Sequence, residues 1–280
     1  MTGLAGKRIL VTRPRAQAAE LCDRLAARGA EPISFPTIQI APPEDYTALD
    51  RAIAELAKYQ WVIFTSVNGV AAFWERLSQS GGDASALRKL KIAAIGPATA
   101  LALGKHGVST DLIPDEYVAE AIAKGIGDVR GQWILLPRAV IAREALAVEL
   151  RHRGALVEEV PVYRTLLVEP DPRGLAELQR GVDAITFTSP STVRGFVALF
   201  KPSAPEAVQA SSDDAGLDLF AAANRPLVAC IGPVTAETAR QLGLPVDIMA
   251  AEHTIDGLVA ALAACFTPAE ATRLRRGHED

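Results

Sequence analysis

Six short turns hold most of the residues in this chain that are equipped for chemistry. They are Thr12-Arg13-Pro14-Arg15, Thr65-Ser66-Val67-Asn68-Gly69, Gly96-Pro97-Ala98-Thr99, Pro137-Arg138 with Arg143 further on, Thr188-Ser189-Pro190-Ser191-Thr192 and Gly232-Pro233-Val234-Thr235. Each follows a short apolar run and precedes a helical pattern. Ser, Thr and Asn at such places cap helices by accepting bonds from free N–H groups, and Pro suits the first turn. That role needs no ligand. The alternative role is anion binding, because exposed amides at a helix N-terminus favour negative charge. Arginines cluster at the same turns (Arg13, Arg15, Arg138, Arg143, and Arg194 nearby). One cap stands alone, whereas several caps converging on a cleft form a multidentate anion cradle. The expected anion-binding residues are Thr12, Arg13, Arg15, Ser66, Asn68, Thr99, Arg138, Arg143, Ser189, Ser191 and Thr235.

One further residue invites a chemical role. Tyr163 is one of four tyrosines and lies in the extended segment "VPVYRT". It is either a packing aromatic or a phenol able to donate a proton to a leaving group. Other chemistries lack their motifs. No GxGxxG follows a strand and no GxxxxGK[ST] is present, so nucleotide binding loses support. There is no HExxH, no cysteine cluster and no GxSxG elbow, and the histidines (106, 152, 253, 278) show no metal spacing.

The elements that position these turns repeat along the chain. An offset of 125 carries Gly29-Ala30 onto Gly154-Ala155, Leu21 onto Leu146 and Pro36 onto Pro161. "VIFTSVNGVAAF" then matches "AITFTSPSTVRGF", and "IAAIGPATALAL" matches "VACIGPVTAETA". Both copies read β-α-β, an extended stretch, then three further β-α units. Short Val- and Ile-rich runs alternating with amphipathic helices indicate parallel sheets covered on both faces. The expected fold class is therefore α/β, with two doubly wound lobes. The extended segments 36–43 and 161–170 are matched and bounded by prolines, which permits a two-stranded connector with each half feeding both lobes. A plain cut near Arg130-Gly131 remains open at this level. Residues 201–224 break the repeat as an insertion, read as a surface loop with a turn of helix near 217–223. The last residues, 266–280, lack an apolar period and read as a flexible tail.

Composition narrows the function. The chain has 280 residues, 49% of them hydrophobic, with a net charge of -4. The acidic balance argues against nucleic acid as a partner. Three cysteines (Cys22, Cys230, Cys265) read as small core residues in a reducing compartment. No apolar stretch approaches the ~18 residues of a membrane span, and the N-terminus shows no signal-peptide pattern, so a cytoplasmic protein is expected.

The ordered set "TSVNGV", "IGPATA", "LLPR" with the downstream "RGA" and "VYRT", then "FTSPSTV" and "IGPVTA", resembles the uroporphyrinogen-III synthase family over nearly all of residues 7–265. That resemblance implies two flavodoxin-like parallel-sheet lobes with exchanged segments. Lobe one would comprise 1–37 plus 170–265 and lobe two 42–165, with linker strands 38–41 and 166–169. It implies a cyclising lyase that takes hydroxymethylbilane, a linear tetrapyrrole with eight carboxylates, to uroporphyrinogen III. Water is lost, ring D inverts through a spiro intermediate, and no metal or organic cofactor is required. Tyr163 matches the family's candidate acid, and Thr12, Arg13, Ser66, Thr99, Arg138, Ser189 and Thr235 match its binding positions. The resemblance also implies a monomer, with substrate handed over transiently by hydroxymethylbilane synthase. Ala139 stands where the family often has the Gly of an R-G-x-x-x-R loop, and it restricts close backbone approach. A non-catalytic tetrapyrrole- or anion-sensing module is the alternative, although no output domain accompanies these motifs.

Overall fold

The computed structural model describes residues 3–115, 119–141, 144–169, 171–200 and 225–267. The proposed insertion at 201–224, Arg143 and most of the proposed tail (268–280) lie outside the described residues. Two compact units emerge: 1–39 with 166–280, and 40–165.

The first unit contains β1 (Arg8–Val11), α1 (Arg15–Ala26), β2 (Glu31–Ser34) and part of β3 (Ile38–Ala41). Later segments complete it. They are α7 (Pro172–Gln179), β8 (Ala184–Phe187), α8 (Pro190–Phe200), β9 (Leu227–Cys230), α9 (Pro233–Gln241), β10 (Ile248–Met249) and α10 (Ile255–Cys265). The second unit contains α2 (Thr47–Ala54), β4 (Trp61–Phe64), α3 (Val67–Gln79), β5 (Lys91–Ala94), α4 (Pro97–Gly104), α5 (Ala119–Gly125), β6 (Trp133–Ala139), α6 (Ala145–His152) and most of β7 (Leu156–Leu167).

The sheet orders are β10-β9-β8-β1-β2 and β3-β7-β6-β4-β5. The pairings of β1 with β2 and β8, of β9 with β8 and β10, of β4 with β5 and β6, and of β6 with β7 are parallel. The opening β-α-β of each copy thus joins strands of the other copy: β1 pairs with β8, and β6 pairs with β4. In duplication terms the first sheet reads 2-1-3-4-5, the flavodoxin-like doubly wound order. β8 and β4 are buried at all four positions, as a strand sandwiched between helix layers must be. Two apolar clusters serve the first unit. Ile185, Phe187 and Phe196 belong to one, and Ala184, Leu21 and Leu262 to the other. The second unit has the same arrangement, with Phe64 and Phe73 in one cluster and Ile63 and Ile134 in the other.

The structure adds to the sequence expectations in three places. Helices α2 and α7 come after the two extended segments, where the sequence pattern shows none. The short strand expected after Gly107 is reduced to a single bridge between Ala93 and Leu112. The segment 166–169 is not a separate strand, because Leu166 and Leu167 close the twelve-residue β7.

Two glycines hold matching geometry in the two copies. Gly29 and Gly154 come after α1 and α6 with φ of 82° and 85°, the left-handed conformation that ends helices. Gly195 serves close packing instead. A Cβ there would lie 2.6 Å from the Thr37 carbonyl oxygen and 2.7 Å from an Ile38 methyl. Gly195→Ala is expected to cost roughly 1–2 kcal/mol, because the backbone of residues 37–38 must shift. Chemical denaturation checks this, and an unchanged midpoint would show that the segment yields freely.

Candidate functional site

Four of the expected residues meet in the second unit. Ser66 precedes α3 in an extended conformation, and its Oγ accepts the Gly69 N–H at 2.9 Å. The same Oγ lies 3.2 Å from the Tyr163 hydroxyl. The Asn68 side chain and the Arg138 charge, the latter on β6, both favour the ionised form of Tyr163. Tyr163 is only 9% exposed. Burial pushes its phenol above the ordinary value of 10, against the opposing pull of Ser66, Asn68 and Arg138. The phenol therefore carries its proton throughout the neutral range.

A bulge aims this tyrosine. Along β6 and β7 the partners run Pro137 with Val160 and Arg138 with Pro161, and then Ala139 with Tyr163. Val162 is the extra residue, and bulges of this kind re-aim side chains near active sites. Val162 and Tyr163 are consequently both buried, where a regular strand would alternate. The Val140 N–H donates to the Tyr163 carbonyl at 2.9 Å and fixes the offset.

Arg138 differs from its expected setting. The sequence placed Pro137-Arg138 in a turn, but β6 continues through both to Ala139. Registered pairing with β4 ends at Leu135, two residues before the proline, while pairing with β7 carries on. Arg138 is 9% exposed and ion-paired with Glu159, which also holds Arg151 at 2.9 Å. Its cation is thus partly neutralised within the protein. Glu159 escaped the sequence reading, although a Glu158-Glu159 pair inside an apolar strand was the available signal. Thr99, in the first turn of α4, is 3% exposed.

The first unit holds Thr12, Arg13, Arg15, Ser189, Ser191 and Thr235. Thr12 is fully buried and its hydroxyl donates to the Thr186 carbonyl at 2.7 Å, so it ties β1 to β8. Thr235 is likewise 3% exposed. Ser189 Oγ accepts the Thr192 N–H at 3.3 Å, and Ser191 is half-buried beside it. Arg15 is exposed and paired with Asp171 at 3.3 Å. Arg13 is the unusual member. Its Nε is buried and lacks a hydrogen-bond partner, the one such side-chain atom among the described residues. Desolvation lowers its pKa, with Glu20 and Cys22 opposing.

The five turns that open helices divide into two kinds. Ser66 and Ser189 cap α3 and α8 with their own side chains. α1, α4 and α9 begin at Pro14, Gly96 and Gly232 with no side-chain cap bond. None of the helices α1, α3, α4, α8 and α9 carries an acidic residue in its first turn, whereas α2 and α10 do. An N-terminus without a carboxylate keeps its positive end for another anion. No trio of His, Cys, Asp or Glu among the described residues is placed to hold a metal ion. No described helix is long and apolar enough to cross a membrane.

Comparison with known proteins gives concordant results. Residues 19–260 match the family model described as uroporphyrinogen-III synthase HemD. A uroporphyrinogen-III synthase of Synechococcus elongatus is 35% identical, over 92% of this chain and 95% of that protein. A putative uroporphyrinogen-III synthase of Methanothermobacter thermautotrophicus is 31% identical, over 90% and 96%. Among solved structures, a mutant uroporphyrinogen III synthase from Thermus thermophilus aligns with a TM-score of 0.64 at 21% identity, over 98% of this chain and 100% of that one. The Helicobacter pylori uroporphyrinogen-III synthetase aligns with a TM-score of 0.57 at 16% identity, over 93% and 100%. At those identities the structural matches speak for the fold.

Proposed function

The chain belongs to the uroporphyrinogen-III synthase family, and from that premise we propose which of its groups close the ring. The enzyme is a cyclising lyase of tetrapyrrole biosynthesis. It converts hydroxymethylbilane to uroporphyrinogen III with loss of water and inversion of ring D. The observation that carries the assignment of roles is the buried, protonated Tyr163 phenol beside Ser66 and Asn68.

In this proposal Tyr163 is the acid. The terminal pyrrole is electron-rich and expels its hydroxyl once that oxygen is protonated. The phenol supplies the proton, and its high pKa keeps it loaded at neutral pH. Ring closure is then a problem of position: attack must occur at the substituted carbon of ring D rather than at the free end. Holding the substrate's carboxylates addresses that problem.

The uncapped N-termini of α1, α4 and α9 are assigned to those carboxylates, and their backbone amides are the donors. Arg13 joins them, because a buried guanidinium N–H without a partner is offset when an anion arrives. Thr12, Thr99 and Thr235 support these turns from beneath, consistent with their burial. Arg15, Arg138, Ser189 and Ser191 complete the expected set, together with Arg143. We further propose that the enzyme works as a cytoplasmic monomer. Its substrate closes spontaneously to the type I ring, so transient hand-over from hydroxymethylbilane synthase shortens the substrate's exposure.

The test is to supply freshly made hydroxymethylbilane and resolve the type I and type III products. The type III isomer is expected to dominate. Formation of the type I ring alone would overturn the activity.

A further inference from the structure

Ser66 and Asn68 were expected to hold substrate, yet the Ser66 hydroxyl lies 3.2 Å from that of Tyr163 and the Asn68 side chain favours its ionised form. We propose that Ser66 and Asn68 are positioning residues that act through Tyr163, holding its phenolate after the phenol has given up its proton. The inference rests on the assignment of Tyr163 as the acid.

The hydrogen-bond geometry carries it. Ser66 Oγ already accepts the Gly69 N–H, so its own proton can be donated elsewhere. The Tyr163 oxygen lies within reach at 3.2 Å. With Ser66 donating, the tyrosine's proton is left for the substrate. Once that proton departs, the phenolate oxygen accepts from the Ser66 hydroxyl and the Asn68 amide. It also sits beside the first turn of α3, which carries no acidic residue. Arg138 is the charged group acting on it from β6, with its own charge shared with Glu159 of β7. Two side chains, a helix end and a cation thus surround the place where negative charge develops, which is the logic of an oxyanion hole applied to the catalyst's own oxygen.

The step balances. The Tyr163 O–H bond breaks and its proton joins the departing hydroxyl. The carbon–oxygen bond breaks with its electron pair leaving on water, and the pyrrole nitrogen supplies electrons to the carbon left behind. Attack at the substituted carbon of ring D gives a spiro cation with no proton to lose at that carbon. After that bond rearranges and the inverted ring joins through its free α-carbon, the proton on that carbon is lost to the phenolate and aromaticity returns. One water has been released and Tyr163 is restored.

The test is a double-mutant cycle. Ser66→Ala and Asn68→Ala are each made with Tyr163 present and in the Tyr163→Phe background. With Tyr163 present, kcat is expected to fall roughly five- to twentyfold, below the usual cost of an oxyanion donor because the other donors remain, while KM stays within about twofold. In the Tyr163→Phe background the same substitutions should change kcat less than about twofold, since the group they serve is gone. Equal losses in both backgrounds, or a raised KM with kcat intact, would show that these side chains hold substrate directly.

Stability is separated from chemistry by one further variant, Ser66→Asp, and by Asn68→Ala itself. Ser66→Asp keeps a good helix cap but sets a carboxylate beside the phenol, so kcat should fall at least as far as in Ser66→Ala. Asn68→Ala leaves the Ser66 cap in place. The titration of ring-labelled Tyr163, monitored by NMR, should move to higher pH in Ser66→Ala and Asn68→Ala. If Tyr163→Phe is fully active while that titration still moves, the pairing stands and the acid assignment falls. If the titration does not move, the pairing itself is refuted.

Discussion

Tyr163→Phe is expected to slow turnover roughly ten- to a hundredfold, within or just below the usual contribution of a positioned acid. The substitution removes one oxygen and leaves the ring. Packing is therefore preserved, since Tyr163 belongs to the apolar cluster with Val160 and Val162 and is only 9% exposed. The bulge is kept by backbone atoms, with the Val140 N–H on the residue's carbonyl. The group that disappears is a proton donor held above the ordinary phenol range by burial. The loss is bounded because the pyrrole expels hydroxide with some ease unaided, and because positioning by carboxylate contacts is untouched. In the wild type no alkaline decline from this group should appear below the ordinary phenol value of 10. Single-turnover rates with fresh substrate decide the matter. Turnover within twofold of wild type would remove Tyr163 from the chemistry.

The largest stability loss is expected elsewhere, at Asp247. Its carboxylate takes Arg225 through both oxygens at 2.7 and 2.8 Å and also accepts the Val228 N–H at 2.8 Å. The two side chains are 15% and 6% exposed. Deleting one member of a buried pair leaves a desolvated charge, at a cost of about 3–5 kcal/mol. Asp247→Ala should fall near the lower figure, because Arg225 retains some contact with water. A loss of about 3 kcal/mol corresponds to a drop in Tm of roughly 6–12 °C. The duplication supplies the control. Asp111 accepts the Ile92 N–H at 2.7 Å in the matching place, where Lys89 occupies the sequence position of Arg225. Asp111→Ala loses an amide bond at an exposed residue, so about 1 kcal/mol is expected. Equal melting shifts for the two variants would show that the guanidinium contributes little.

Much of this architecture was legible in the residues, for physical reasons. Short Val- and Ile-rich runs signal buried parallel strands, and a repeat at fixed offset is visible without coordinates. Five of the six turns were located correctly, because Gly, Pro and Ser announce themselves locally; the sixth, at Pro137-Arg138, is strand. Their chemistry was less legible. Nothing in "VTRPR" says that Pro14 leaves α1 without a side-chain cap, while "TSVNG" and "TSPST" supply one. Pro137 argued for a turn, since proline interrupts a ladder. The strand continues because its pairing with β7 tolerates the proline after the β4 ladder has stopped. Arg138 reads in the sequence as a cation reserved for an anionic ligand, because its partner Glu159 is 21 residues away and faces it only once β6 and β7 pair. The same holds for Ser66 and Tyr163, which lie 97 residues apart. Contacts made by pairing distant strands are invisible to spacing.

The exchange of segments also imposes a schedule on synthesis. Residues 40–165 form one contiguous unit, so β4 to β7 are all available once Leu167 has left the ribosome. β1 fares differently. It needs β8, in register Ile9 with Ala184, and therefore has one flank without a partner strand until more than half the chain has been made. The unit translated first is thus completed last. An exposed edge beside β1 during that interval is an invitation to mispairing, and a growing chain that has already buried β4 to β7 offers it few partners.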